Sequence, residues 1–129
     1  MGKRSRARAR QGSQPEPLPD APTTDYPSPD GAQTLTLRGA MTAGTRMAYQ
    51  RAMSGEDRPA GAAREDAWHR AVELLFERLA VRWVVNDVPT EGQTELLLRF
   101  RVATQDERRF VRDALRAHLA ENFPELPAP

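Results

Sequence analysis

Residues 65–83 read Glu-Asp-Ala-Trp-His-Arg-Ala-Val-Glu-Leu-Leu-Phe-Glu-Arg-Leu-Ala-Val-Arg-Trp. Trp68, Val72, Leu75, Phe76, Leu79 and Trp83 recur at three- and four-residue spacings, which places them on one apolar stripe of a helix. Arg70, Glu73, Glu77 and Arg78 lie off that stripe. The spacing predicts a helix over about 65–83, and this longest element decides the fold class. The chain reads as mainly α: a three to four helix bundle with a short N-terminal strand or hairpin and a disordered N-terminal arm. A small α+β arrangement is the alternative.

Toward the C-terminus, Val84-Val85-Asn86-Asp87-Val88-Pro89 reads as a turn between extended residues, and its pairing with an earlier strand is left open. Thr90-Glu91-Gly92-Gln93 has capping-box spacing and predicts a shorter helix carrying Leu96, Leu97 and Phe100. Thr104-Gln105-Asp106-Glu107 is a second such box. It opens a last helix with Phe110, Val111, Ala114, Leu115, His118 and Leu119 on one side. Phe123-Pro124 ends that helix, and the Pro-rich residues 125–129 cannot extend it.

Toward the N-terminus, residues 55–64 with Pro59 and Gly61 read as a polar loop. Thr42 is placed to cap a helix reaching about Met53, with Met47 and Tyr49 facing inward. Thr34-Leu35-Thr36-Leu37-Arg38 alternates polar and apolar residues, the period of a half-buried strand, and Gly39 ends it. Residues 1–33 carry six of the prolines and almost no large apolar side chain. Such a stretch buries too little surface to offset its ordering entropy. The expected organisation is a disordered basic and Pro-rich arm over 1–33, a helical domain over 34–124 and a Pro-rich tail over 125–129. Tyr26, the only aromatic residue of the arm, is expected to stand apart from the body.

Composition narrows the function. At 129 residues the chain holds one domain at most. It has no cysteine, which excludes disulfides and thiolate metal sites. No apolar run approaches the ~18 residues of a membrane span, and no apolar segment follows the basic start, as a signal peptide requires. The expected location is the cytoplasm. The net charge of +1 hides an asymmetry, because Lys3, Arg4, Arg6, Arg8 and Arg10 are basic while the rest of the chain is net acidic. Such an arm attracts polyanions without sequence specificity.

The chemical inventory argues against an enzyme. Lys3 is the only lysine, so the body has neither a P-loop lysine nor a Schiff-base lysine. Ser5, Ser13, Ser28 and Ser54 are the only serines, and none sits in a nucleophile-elbow motif. Asp66 and His69 have an i, i+3 spacing found in carboxylate-bridged metal bundles, but His118 lacks the matching acid. No cofactor and no metal are expected, and both histidines read as edging their apolar faces. Arg108, Arg112 and Arg116 form an i, i+4 stripe. Asp106 and Asp113 are spaced to pair with Arg109 and Arg116.

Several of these segments together resemble a known family. They are Thr34-Leu35-Thr36-Leu37-Arg38-Gly39, Trp68 to Trp83, Trp83-Val84-Val85-Asn86-Asp87-Val88-Pro89, Leu97-Leu98-Arg99-Phe100-Arg101-Val102-Ala103-Thr104 and Asp106-Glu107-Arg108-Arg109-Phe110. Over residues 33–124 the chain looks like the tail assembly chaperones of long, non-contractile-tailed phages and related prophages. The resemblance implies a small, mostly helical protein of the host cytoplasm. It would bind the tape-measure protein, keep it soluble during tail morphogenesis and be absent from the mature virion. Tail-tube subunits and a second copy of the chain are further partners that this role leaves open.

For such a role the apolar surplus supplies the candidate partner-binding residues, Trp68, Phe76, Trp83, Phe100 and Phe110. The same residues would also serve as the core of a small domain. The arm residues Lys3, Arg4, Arg6, Arg8 and Arg10 are the candidate polyanion site. Two other readings stand beside the chaperone: a small nucleic-acid-associated protein acting through the arm, and a structural head–tail joining component.

Overall fold

The computed structural model describes residues 18–55 and 64–129. Along the chain run β1 (Thr23–Pro27), β2 (Gln33–Arg38), α1 (Ala43–Ser54), α2 (Arg64–Leu79), β3 (Ala80–Val85), β4 (Val88–Glu91), α3 (Gln93–Arg101) and α4 (Gln105–Asn122). The strands form one antiparallel sheet in the order β1-β2-β3-β4. The fold is therefore α+β, with four helices beside a four-stranded sheet, and the expected helix bundle is corrected.

The physical reason lies in residues 80–91. Helix α2 stops at Leu79, and Ala80 opens a strand. Trp83 stands four residues after Leu79, so it continues the helical stripe on paper. It is equally two residues before the buried Val85, which is the strand period. Asn86 and Asp87 decide between the two. Both have positive φ, 49° and 68°, the requirement of a two-residue hairpin turn. The turn folds β4 back onto β3, pairing Val85 with Val88 and Arg82 with Glu91. A register shift sets Thr36 opposite Arg82 and Leu37 opposite Ala80, so Val81 is the extra residue of a bulge. The bulge turns both Ala80 and Trp83 inward, three residues apart, as in a helix. Placing a β-branched side chain in this turn, Asp87→Val, is expected to cost about 1–2 kcal/mol, the left-handed backbone penalty, read as a shift of the denaturant midpoint at unchanged m-value.

The same hairpin overrides the first capping box. Thr90 is spent in β4 opposite Trp83, and α3 starts behind Gly92, which makes no side-chain cap. The second box forms as its spacing predicts: Thr104 Oγ1 accepts from Glu107 N at 3.1 Å and Glu107 Oε1 accepts from Thr104 N at 3.0 Å. Thr42 caps α1, and its side chain accepts from Thr45 N. Met47, expected inside, is 55% exposed. The inward line of this segment is Met41, Thr45 and Tyr49, at spacings of four, which leaves Met47 on another side. Most of the 55–64 loop lies outside the described residues.

The arm boundary also moves. Residues 23–27, assigned to a disordered arm, pair with β2 as an edge strand. Pro27 ends this strand, a place where a missing N–H is tolerated. The β1–β2 connection is held by Asp30 Oδ1, which accepts from Ser28 Oγ at 2.6 Å and from Ala32 N at 3.0 Å. Tyr26 does not stand apart. Its hydroxyl lies 2.9 Å from His118 Nδ1 and 3.2 Å from Glu121 Oε2, which ties β1 to α4. The Pro-rich tail is likewise docked. Leu126 is buried, Tyr49 Oη donates to Pro127 O, and Arg116 donates to Pro129 O.

One core joins these layers. Leu35, Leu37, Trp83 and Val85 of the sheet meet Leu75, Phe76 and Leu79 of α2, Leu96 and Phe100 of α3, and Val111, Leu115 and Leu119 of α4.

Candidate partner-binding cleft

Helices α2 and α4 converge beside the C-terminal end of α3 and leave an open cleft of about 360 Å³. Its apolar floor is Trp68, Val72 and Phe100, and its rim is Arg101, Arg108, Arg109 and Arg112. The placement follows from helical spacing. Trp68 and Val72 are one turn apart on α2, and Arg108 and Arg112 are one turn apart on α4. The two arginines flank the buried Val111 and Leu115, so they stand where the apolar face of α4 meets solvent.

The guanidinium groups are spread over the aromatic floor. Arg112 Cζ is 5.2 Å from the Trp68 ring centroid, and Arg108 Cζ is 5.6 Å from that of Phe100. Arg101 donates to Glu73 Oε1 from Nη2 at 2.7 Å and from Nε at 3.2 Å. The hydrogen bond to Glu73, followed by its charge, raises the Arg101 pKa and holds the group ionised. Arg108 Nη2 donates to the Arg101 carbonyl at 2.8 Å. Arg109 reaches Asp106 only at 3.9 Å. Arg112 Nε is buried without a protein acceptor, and Asp113 lies 3.9 Å from it. Asp113 thus sits beside Arg112, not Arg116 as its spacing predicts, and Arg116 donates to the Pro129 carbonyl.

The five aromatic candidates separate. Phe76 and Trp83 are fully buried and Phe100 is 7% exposed. Phe76 stacks on Phe100 at 4.8 Å and meets Trp83 edge-on at 5.6 Å. This trio is core, and of the three only Phe100 shows an edge in the cleft. Trp68 is half-buried and forms the cleft floor. Phe110 is half-buried and lines a separate, shallower groove between the β1–β2 turn and α4. The arm residues Lys3, Arg4, Arg6, Arg8 and Arg10 lie outside the described residues. By spacing alone Arg108 and Arg112 belong to one stripe with Arg116. Trp68, some forty residues earlier in the chain, lies under Arg112. Only helix packing brings the two together.

Among the described residues, no group of three or more His, Cys, Asp and Glu side chains is gathered to hold a metal ion. None of the described helices is long and apolar enough to cross a membrane. The chain matches no family model, no curated protein and no solved structure.

Proposed function

We propose that this chain is a tail assembly chaperone: a non-catalytic protein that binds the tape-measure protein and keeps it soluble while the tail assembles. The observation that carries the binding half of this reading is the cleft. It presents the half-buried Trp68 ring and an edge of Phe100 in a helix–helix groove, the usual seat for an amphipathic helix of a partner. Its arginine rim covers apolar surface without closing it, because long cationic side chains lie along such surface and swing aside. The tape-measure half rests on the sequence resemblance over residues 33–124.

Co-expression with the tape-measure protein of the same gene cluster tests the reading. The client is expected in the soluble fraction only when this chain is present, and to co-purify with it. A client equally insoluble in both cases removes the proposal. The basic arm favours a second reading, binding to DNA or RNA. That reading requires affinity that falls steeply with salt and disappears on deletion of residues 1–12.

A further inference from the structure

The rim of the cleft is more basic than its own acids can balance. Four arginines line it against one acid, Glu73, and Glu73 is already committed to Arg101. Arg108 is bonded to a neutral carbonyl. Arg109 and Arg112 each have a carboxylate no nearer than 3.9 Å, beyond hydrogen-bond distance. Around the cleft the balance is the reverse: apart from its lining, residues 18–129 carry 10 basic and 16 acidic side chains. The cleft is thus a local cationic spot on an otherwise acidic body.

We propose that the cleft is a docking site for an acidic amphipathic helix of a partner protein. One large apolar side chain of that helix sits on Trp68, Val72 and Phe100. Aspartate or glutamate residues spaced one turn apart along its flank pair with Arg108, Arg109 and Arg112. Arg108 and Arg112 are separated by about 6 Å along α4, four residues at 1.5 Å each. Carboxylates at i and i+4 of a helix lying along α4 have the same repeat. Arg112 carries the largest share, because its guanidinium lies over Trp68 at the cleft floor and has no carboxylate within hydrogen-bond distance. The exposed Asp106 and Asp113 beside the cleft disfavour a continuous phosphate backbone. A helix that presents a few spaced carboxylates can avoid those acids. The inference deepens the chaperone reading and rests on its premise that the partner is a protein.

The test uses the full chain and fluorescence anisotropy with labelled helical peptides of about 18 residues, five turns. One peptide carries an apolar stripe flanked by Glu, a second replaces every Glu by Gln, and a single-stranded RNA serves as the competing polyanion. The Glu peptide is expected to bind, and the Gln peptide to bind about tenfold or more weakly, the scale of losing charge-assisted hydrogen bonds. Arg112→Gln and Trp68→Ala are each expected to weaken the Glu peptide by about tenfold or more. At salt high enough to screen the arm's non-specific attraction, changing Lys3, Arg4, Arg6, Arg8 and Arg10 together to Gln is expected to leave it within about twofold. Circular dichroism checks that each variant is folded. If Trp68→Ala is not, Arg108→Gln with Arg112→Gln takes its place. Equal binding of the two peptides overturns the inference. So does binding that survives the cleft changes but is lost with the arm, or tighter binding of RNA that Arg112→Gln abolishes. Co-expression of the client with Arg112→Gln separates the two proposals. A client kept soluble by that variant removes the cleft and spares the chaperone. Peptide binding without client solubilisation does the opposite.

Discussion

Truncating Phe76 to alanine is expected to cost the folded domain about 3–5 kcal/mol, the range for a buried phenylalanine. Phe76 is fully buried and touches two other rings, Trp83 edge-on and Phe100 face-on. Its removal leaves a void between α2, β3 and α3, lined by the Trp83 and Phe100 rings. A domain of this size has only about 5–15 kcal/mol of stability in all, so the variant is expected near the edge of folding. Denaturant unfolding followed by tryptophan fluorescence reads the loss directly. The outcome also separates the two roles open to Phe76 in the sequence. A residue displayed for a partner would lose binding and keep its stability. A core residue loses stability first, and any binding defect follows from that.

The second large effect centres on His118. It is fully buried and holds three elements together. Its Nε2–H donates to the Arg38 carbonyl of β2 at 2.8 Å, which leaves Nδ1 as the acceptor. Nδ1 faces the Tyr26 hydroxyl of β1 at 2.9 Å and the Asn122 amide at 3.2 Å. Burial lowers the His118 pKa. The Arg38 carbonyl and the nearby Glu121 oppose the shift without cancelling it. Burial, with the charge of Glu121 second, pushes the Tyr26 hydroxyl up to about 12, so it stays protonated at ordinary pH.

The sign of the pH dependence follows. The unfolded chain takes up a proton on His118 near its ordinary value of about 6.5, whereas the folded state resists it. Stability is therefore fully present above about pH 6.5 and falls as the pH drops below it. Replacing His118 by leucine is expected to do two things. It leaves the Arg38 carbonyl and the Asn122 amide without this partner at a cost of about 1–3 kcal/mol for each group that stays unsatisfied. It also removes this contribution to the slope of stability between pH 7 and 5. Thermal unfolding of parent and variant at both pH values measures the two effects. An undiminished slope in the leucine variant would show that another group governs acid sensitivity.

Much of the helical content was legible in the sequence. The Thr104 box, the Thr42 cap and the apolar faces of α2 and α4 depend on neighbours within a few residues, and the structure places them where their spacing predicts. The strand over 34–38 was legible for the same reason, being a short-period pattern with a glycine stop. The errors fall where one pattern served two structures. Trp83 fitted a helix stripe and a strand alternation equally, and Thr90 fitted a cap and a ladder position. Tyr26 had too few apolar neighbours in sequence to predict order. Its anchor, His118, is 92 residues away.

The cleft was legible only in pieces. Trp68 stood out as an aromatic residue, and Arg108 and Arg112 as a stripe. Each had a plain local explanation, the first as core and the second as a helix face with acids spaced to pair along it. What the sequence by itself determined about this protein is the set of elements that short-range hydrogen bonds and side-chain periodicity can stabilise, together with the absence of lysine and cysteine chemistry from the body. What only the tertiary structure decided is the path of residues 80–91, the capture of β1 and the C-terminal tail, and the meeting of Arg112 with Trp68. Those outcomes depend on contacts between residues far apart in sequence, whose free energy is set by packing and by the pairing of buried polar groups. No local pattern carries that information.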